Sequence, residues 1–216
     1  MKIQLGNISQ NNGLKEEIKE ARFDKSAIFL IFSNIITIFF AVYEGWSLAT
    51  LMFIYWAQSV IIGVFTFIKI LTLKNFSTEN FRINNRQVEP TNSTKYITAF
   101  FFLFHYGMFH FGYLIFLLSL IISQKQISIL IILTVLASIG IFFVNHLFSF
   151  LYHREQDSQK VKNIGTITFF PYARIIPMHL TIVFGFFLVK SAAGLVFFLV
   201  LKTIADVIMH LFEHKV

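Results

Sequence analysis

The last apolar stretch of the chain, residues 194–214, carries ionisable side chains within a segment that is otherwise suited to a membrane. It reads GLVFFLVLKTIADVIMHLFEH and contains Lys202, Asp206, His210 and His214. Because residues four apart lie on the same side of a helix, these four side chains form one stripe. Ionisable groups cost free energy in lipid, so the stripe is predicted to face the interior of a helical bundle and to mark a functional site.

The composition is typical of a polytopic membrane protein. Of the 216 residues, 56% are hydrophobic and 13% are charged, and the mean hydropathy is +0.70. This length accommodates a bundle of about six spans of about 20 residues each, joined by short connections. The chain has no cysteine, which excludes disulfides, thiolate metal sites and a cysteine nucleophile. Oxygen and nitrogen donors must therefore carry any chemistry.

The predicted fold is an all-α membrane protein, a bundle of six transmembrane helices within residues 27–216. A short charged segment, residues 1–26, precedes it. It lacks the pattern of a signal peptide because acidic residues crowd the region before the first apolar run and no cleavage site follows that run. The predicted spans are residues 27–43, 48–73, 96–122, 127–152, 171–190 and 193–212.

Three glycines and one proline suggest details of the packing. Gly63, Gly107 and Gly112 are predicted to let the second and third spans approach closely. Pro177 is expected to kink the fifth span, because it has no N–H to donate to the carbonyl of Ala173. Such a break survives in a membrane where neighbours or a polar cavity satisfy the backbone.

Lysine and arginine are unevenly divided between the two sides of the predicted bundle. Most lie in the connections on the side of the N-terminus, whereas the opposite connections contain only Lys125 and Lys190. The positive-inside rule then predicts a protein integral to the inner, cytoplasmic membrane of the cell with both termini in the cytoplasm. The net charge of +7 is attributed to topology signals and to contacts with anionic lipids, not to nucleic acid. Membrane lipids are the expected partners, and a lipid-like substrate is a further candidate.

Four spans each bring a histidine to a similar depth in the cytoplasmic half of the membrane, counted from the predicted boundaries. Asp206 is the only carboxylate in the interior of a predicted span. Imidazole and carboxylate groups from facing helices are ligands of zinc and iron. The sequence therefore predicts a Zn or Fe site, although a single histidine in a span more commonly makes an interhelical hydrogen bond. The predicted metal ligands are His105, His146, His179 and His210.

Three charged residues are the predicted catalytic groups. Asp206 is expected to orient a ligand or to act as a base, and it lies one turn from Lys202. A structural ion pair between the two and a catalytic or transport role both remain open. Arg174 is expected at a helix end, where it extends to lipid head groups or holds an anionic substrate.

Four segments resemble an uncharacterised family of prokaryotic polytopic membrane proteins, known only as a domain of unknown function. They are YWAQSVIIGVF, HYGMF, PYARIIPMHLTIVFG and KTIADVIMH, and the resemblance covers most of residues 45–212. It implies a family pattern without naming a reaction. Gln58 departs from it, because the family more often has glutamate there. The residues that the resemblance includes in the pattern are His105, Arg174, His179, Asp206 and His210.

A weaker resemblance connects the chain to the seven-helix zinc membrane hydrolases, the ceramidases and adiponectin-receptor-like proteins. Asp206, His210 and His214 are similar to their zinc site in residue type alone, and the predicted bundle has one span fewer.

Three functions are compatible with these residues. In the first, the chain is a metal-dependent membrane enzyme that acts on a lipid-like substrate whose head group Arg174 receives. In the second, paired histidines hold haem b in a redox protein. In the third, Lys202, Asp206 and the histidines form the relay of a metal-ion or proton transporter. A purely structural role is also open, and the sequence does not decide whether the protein is an enzyme.

Overall fold

The computed structural model describes most of the chain after residue 45. The described residues are 46–83, 85–122, 129–159, 161–185 and 192–213, together with Ile35, Phe39 and Tyr43, which are helical. The predicted segment 1–26 and most of the predicted span 27–43 lie outside the described residues.

The described part of the chain is mostly helical, as predicted. Three of its helical stretches are long and apolar enough to cross a membrane: Leu48–Thr72, Asn92–Ile122 and Ile131–Phe148. The helices are α1 (Leu48–Thr72), α2 (Asn92–Ile122), α3 (Ile129–Gln159), α4 (Ile164–Phe169), a 3-10 helix (Phe170–Arg174), α5 (Ile175–Gly185) and α6 (Ala192–Glu213).

Polar side chains set the beginnings of two helices. The Ser47 hydroxyl accepts a hydrogen bond from the backbone N–H of Thr50 at 3.1 Å and caps α1. The Asn163 side chain accepts one from the N–H of Thr166 at 3.1 Å and caps α4. The chain is therefore already helical at Ile164. The predicted fifth span began at Pro171, but Pro171 is the second residue of the 3-10 helix.

Helix α1 runs antiparallel to α2. The Trp56 indole N–H donates to the carbonyl of His110 at 2.9 Å, and the Tyr106 hydroxyl donates to the carbonyl of Ser59 at 3.1 Å. The residue number thus rises along one helix while it falls along the other.

Helix α2 runs parallel to the segment 170–185. His105 is hydrogen-bonded to Tyr172, and Tyr113 contacts His179, so that residue numbers rise together on both sides. Helix α3 lies between these two parallel segments in the sequence, and it must therefore carry the chain back in the opposite direction.

Short strands close one end of the bundle. Strand β1 (Phe76–Ser77) pairs in parallel with β4 (Lys162–Asn163), and β2 (Arg82–Ile83) pairs antiparallel with β3 (Arg86–Gln87). The Asn163 amide also donates to the carbonyl of Glu79 at 2.7 Å. The end of α1 and the start of α4 are therefore held together at this end.

The core forms around α1, which contacts α2, α3, the 3-10 helix, α5 and α6. Helix α3 lies at the periphery, since none of the residues Ile131–Phe148 is buried. It meets α1 where the rings of Phe143 and Phe150 pack against Phe65. The largest fully buried side chains include Met52, Tyr55, Ile70, Phe102, Leu117 and Phe198.

Only one of the three predicted packing glycines lies in a close contact. A Cβ atom added to Gly63 would come within 2.6 Å of Cε1 of Tyr106, whereas Gly107 and Gly112 have no such neighbour within 4 Å. The prediction is thus wrong for Gly107 and Gly112, because those positions of α2 do not face α1. The Tyr106 ring also stacks on His110, with centroids 4.2 Å apart, and cannot easily move away.

Gly63→Ala is expected to lower the free energy of unfolding by about 1–3 kcal/mol, because the new methyl group overlaps a fixed ring. Thermal unfolding in detergent, followed by tryptophan fluorescence, measures the change. Gly112→Ala is the matched control, and it should raise stability by up to about 1 kcal/mol through helix propensity. Equal loss of stability in both variants would contradict the assigned α1–α2 contact.

Candidate functional site

A break in helical geometry positions the central residue of the site. Pro177 lacks an N–H for the carbonyl of Ala173, and the 3-10 helix ends next to that carbonyl, at Arg174. Irregular backbone of this kind is tolerated in a membrane protein where protein surrounds it. Arg174 is only 6% exposed. The prediction that Arg174 extends to the surface is therefore wrong. Helical structure begins ten residues earlier, at Ile164, and the Arg174 side chain lies inside the described structure.

The Arg174 guanidinium is held by side chains of two other helices. Its Nη1 donates to Oδ1 of Asp206 at 2.9 Å. Its Nη2 donates to Oε1 of Gln58 at 3.3 Å, and its Nε donates to the hydroxyl of Ser59 at 3.2 Å. The rigid fork of donors in a guanidinium matches this arrangement of fixed acceptors, so the contacts lock Arg174 in one orientation.

Lys202 contacts the second oxygen of the same carboxylate. Its Nζ lies 2.6 Å from Oδ2 of Asp206, one helical turn away. We call Arg174, Asp206 and Lys202 the ion triad. Their side chains are 7%, 11% and 19% exposed, in that order. Two cations and one carboxylate give the triad a formal charge of +1, and burial means that water screens this charge weakly.

Tyr55 lies beneath both cations. The guanidinium carbon of Arg174 is 4.3 Å from the centroid of the Tyr55 ring, and Nζ of Lys202 is 5.8 Å from it. The ring of Phe198 contacts Tyr55 edge to face at 5.6 Å. Cations over an aromatic face are stabilised by the negative charge density of the ring.

Tyr55, Gln58 and Ser59 were not among the residues predicted for the site. Their spacing carries a usable signal, because positions 55, 58 and 59 lie on one face of a helix. Three polar side chains on one face of an apolar span indicate the side that meets other charged groups. Gln58 and Ser59 also lie near the middle of the 25-residue α1, so the triad is level with the middle of that helix.

The predicted metal ligands are distributed over different contacts. Nδ1 of His105 is hydrogen-bonded to the Tyr172 hydroxyl at 2.9 Å, and Nδ1 of His179 lies 3.5 Å from the Tyr113 hydroxyl. Residues 105 and 113 are eight positions apart on α2, or about 12 Å along its axis. His105 and His179 are therefore held at different levels.

The other two predicted ligands do not complete a described site. His146 on α3 packs against the rings of Phe142 and Phe65, at 4.4 and 6.2 Å between centroids. The side chain of His210 lies outside the described part of the structure. Among the described side chains, no group of three or more histidine, aspartate or glutamate residues could hold a metal ion. The Zn or Fe site and the alternative haem b site stay predictions that the described residues do not support.

Loss of the Asp206 carboxylate should strongly destabilise the fold. Asp206→Asn leaves two buried cations without their shared anion, and it is expected to cost about 3–5 kcal/mol of unfolding free energy. The double variant Asp206→Asn, Arg174→Gln should cost less than the sum of the single variants, by about 1–3 kcal/mol. Urea or thermal unfolding in detergent measures this coupling. Strict additivity would contradict the pairing.

Comparison with known proteins assigns the chain to a family but not to a reaction. No curated protein and no solved structure matches the chain. Residues 17–216 match a family described as "Family of unknown function (DUF6498)". The match supports the predicted membership of an uncharacterised family and covers nearly the whole sequence. The chain belongs to the DUF6498 family.

Proposed function

We propose that the chain is an integral protein of the cell membrane that binds the anionic head group of a lipid-like molecule at the ion triad. The observation that carries the proposal is a buried Arg174 and a neighbouring Lys202 that share the single carboxylate of Asp206. The proposed architecture is a bundle of six membrane-spanning helices with both termini in the cytoplasm.

The direction of the helices supports this architecture. Helices α1 and α2 are antiparallel, α2 is parallel to the segment 170–185, and α3 must run back between them. This alternation is what successive membrane spans require. The loop after α1 and the segment before α4 meet at one end of the bundle, through the pairing of β1 with β4. That end contains the basic residues Lys74, Arg82, Arg86, Lys95 and Lys162, and the positive-inside rule assigns it to the cytoplasm.

The absence of cysteine allows a direct test of topology with single-cysteine variants. A membrane-impermeant maleimide added to intact cells should label Lys125→Cys and Lys190→Cys, which lie in the proposed outer connections. It should not label Asn11→Cys or Asn85→Cys until the cells are lysed. Labelling of Asn85→Cys in intact cells would contradict the proposed orientation, and labelling of all four after lysis is the control for reactivity.

The chemistry of the triad favours an anionic ligand. Two cations lie close together in a buried position, where water only weakly screens their attraction for an anion. Arginine and lysine are also the side chains that recognise carboxylate and phosphate groups. Since Arg174 is already fixed by Gln58, Ser59 and Asp206, little side-chain entropy remains to be lost when a ligand binds.

Binding of a head group is the step that the enzyme and transporter hypotheses share. An enzyme would act on the bound molecule, and a transporter would carry it across. The triad supports the shared step, and metal-dependent chemistry and a haem stay separate predictions.

Binding can be measured with the protein purified in an uncharged detergent. Titration with oleate or phosphatidylglycerol should raise the unfolding temperature saturably, whereas phosphatidylcholine should not. Lys202→Met should weaken binding of both anionic lipids by about tenfold or more, because it removes one of the two cations. This variant retains the neutral pair of Arg174 and Asp206, and it is therefore expected to fold.

Arg86→Gln is the matched control, since it removes a positive charge from the exposed hairpin and not from the triad. Its affinity for both anionic lipids should equal that of the wild type. Native mass spectrometry should detect one retained anionic lipid in the wild type and in the control. Equal affinity in Lys202→Met and the wild type would refute the triad as the binding site.

A further inference from the structure

The Tyr55 hydroxyl is a buried polar group that has no hydrogen-bond partner among the described residues. Tyr55 itself is 1% exposed, and its ring lies against both cations of the ion triad. We propose that this hydroxyl is a ligand-binding group, which donates a hydrogen bond to an oxyanion held between Arg174 and Lys202. The inference rests on the proposed function, and it specifies a residue that recognises the ligand.

A buried hydroxyl is usually paired, because an unmade hydrogen bond is costly away from water. Asp206, the only carboxylate of the triad, accepts from the two cations, and it is not a hydrogen-bond partner of the Tyr55 hydroxyl. The hydroxyl is therefore available to a bound molecule.

The surroundings of the hydroxyl determine what kind of acceptor fits. The guanidinium of Arg174 lies over one face of the Tyr55 ring. One negatively charged oxygen group can thus accept from Tyr55 and remain close to the cations. An anion is favoured over a neutral acceptor, because two cations lie against the Tyr55 ring in a position that water screens poorly.

A neighbouring tyrosine shows the contrasting case. The Tyr106 hydroxyl is buried at a similar level of the bundle and donates to the carbonyl of Ser59 at 3.1 Å. Its hydrogen bond joins α1 to α2 and has a structural role. The protein therefore supplies an acceptor for the Tyr106 hydroxyl. Among the described residues it supplies none for the Tyr55 hydroxyl.

The chemistry of the cations and the hydroxyl points to a negatively charged oxygen group on an apolar tail. Oleate, which has a carboxylate, and phosphatidylglycerol, which has a phosphodiester, represent its two sources.

The test compares Tyr55→Phe with the wild type in detergent, with oleate and phosphatidylglycerol as probes. Tyr55→Phe should weaken binding of the better probe by about tenfold, the loss expected for one hydrogen bond to a charged group. Without lipid, its unfolding temperature should equal or exceed that of the wild type, because an unpaired hydroxyl has been removed.

Two variants distinguish ligand binding from structure. Tyr106→Phe removes a paired hydroxyl, so it should lower the unfolding temperature without lipid while the affinity for the probes stays within about twofold. Thr98→Val removes a buried hydroxyl on α2 that also has no partner among the described residues. Its affinity should remain that of the wild type, because Thr98 does not belong to the triad or to its contacts.

The outcomes separate this inference from the proposed function. If the wild type binds none of the probes, the proposed function fails and the inference fails with it. If Lys202→Met loses binding and Tyr55→Phe keeps it, the triad remains the site and the role of the Tyr55 hydroxyl is refuted. If Tyr55→Phe unfolds at a lower temperature than the wild type without lipid and binds the probes with unchanged affinity, the hydroxyl has a structural role instead.

Discussion

The arrangement of the described helices depends on the compensation of one buried cation. A guanidinium inside a mostly apolar bundle is stable only where acceptors surround it. Arg174 meets this requirement with Asp206 from α6 and with Gln58 and Ser59 from α1. Loss of any one contact leaves part of the buried charge without an acceptor. These hydrogen bonds therefore fix α1, α6 and the 3-10 helix relative to one another more strictly than apolar packing alone.

The cap at one end of the bundle fixes where this cation lies. The pairing of β1 with β4 and the Asn163 side chain hold the start of α4 beside the loop after α1. At Gly165, an added Cβ would lie 3.0 Å from Cδ2 of Phe81, so this contact is also close. The distance along the chain from this cap to Arg174 is short and fully helical. Rigid attachment at the cap thus places Arg174 opposite the middle of α1.

The histidines show why residue type and approximate depth did not suffice to predict a site. The predicted depths depend on the span boundaries, and in the fifth predicted span the helical structure begins well before Pro171. His105 contacts Tyr172 and His179 contacts Tyr113, at two different levels of α2. Proximity in depth does not bring side chains together unless the helices are also rotated toward one another, and rotation is set by packing.

The sequence by itself determined the helical character, the apolar stretches and the one-turn spacing that allows Lys202 to reach Asp206, because each depends on residues within a few turns of one another. It also marked Asp206 and Arg174 as candidates, through their rarity in apolar segments. Only the tertiary structure decided that Arg174 is buried, that it meets Ser59 across 115 residues of sequence, and that Tyr55 lies beneath the cations. The physical reason is that such contacts depend on where a helix starts and how it is rotated. Both are fixed by packing between segments that are distant in sequence.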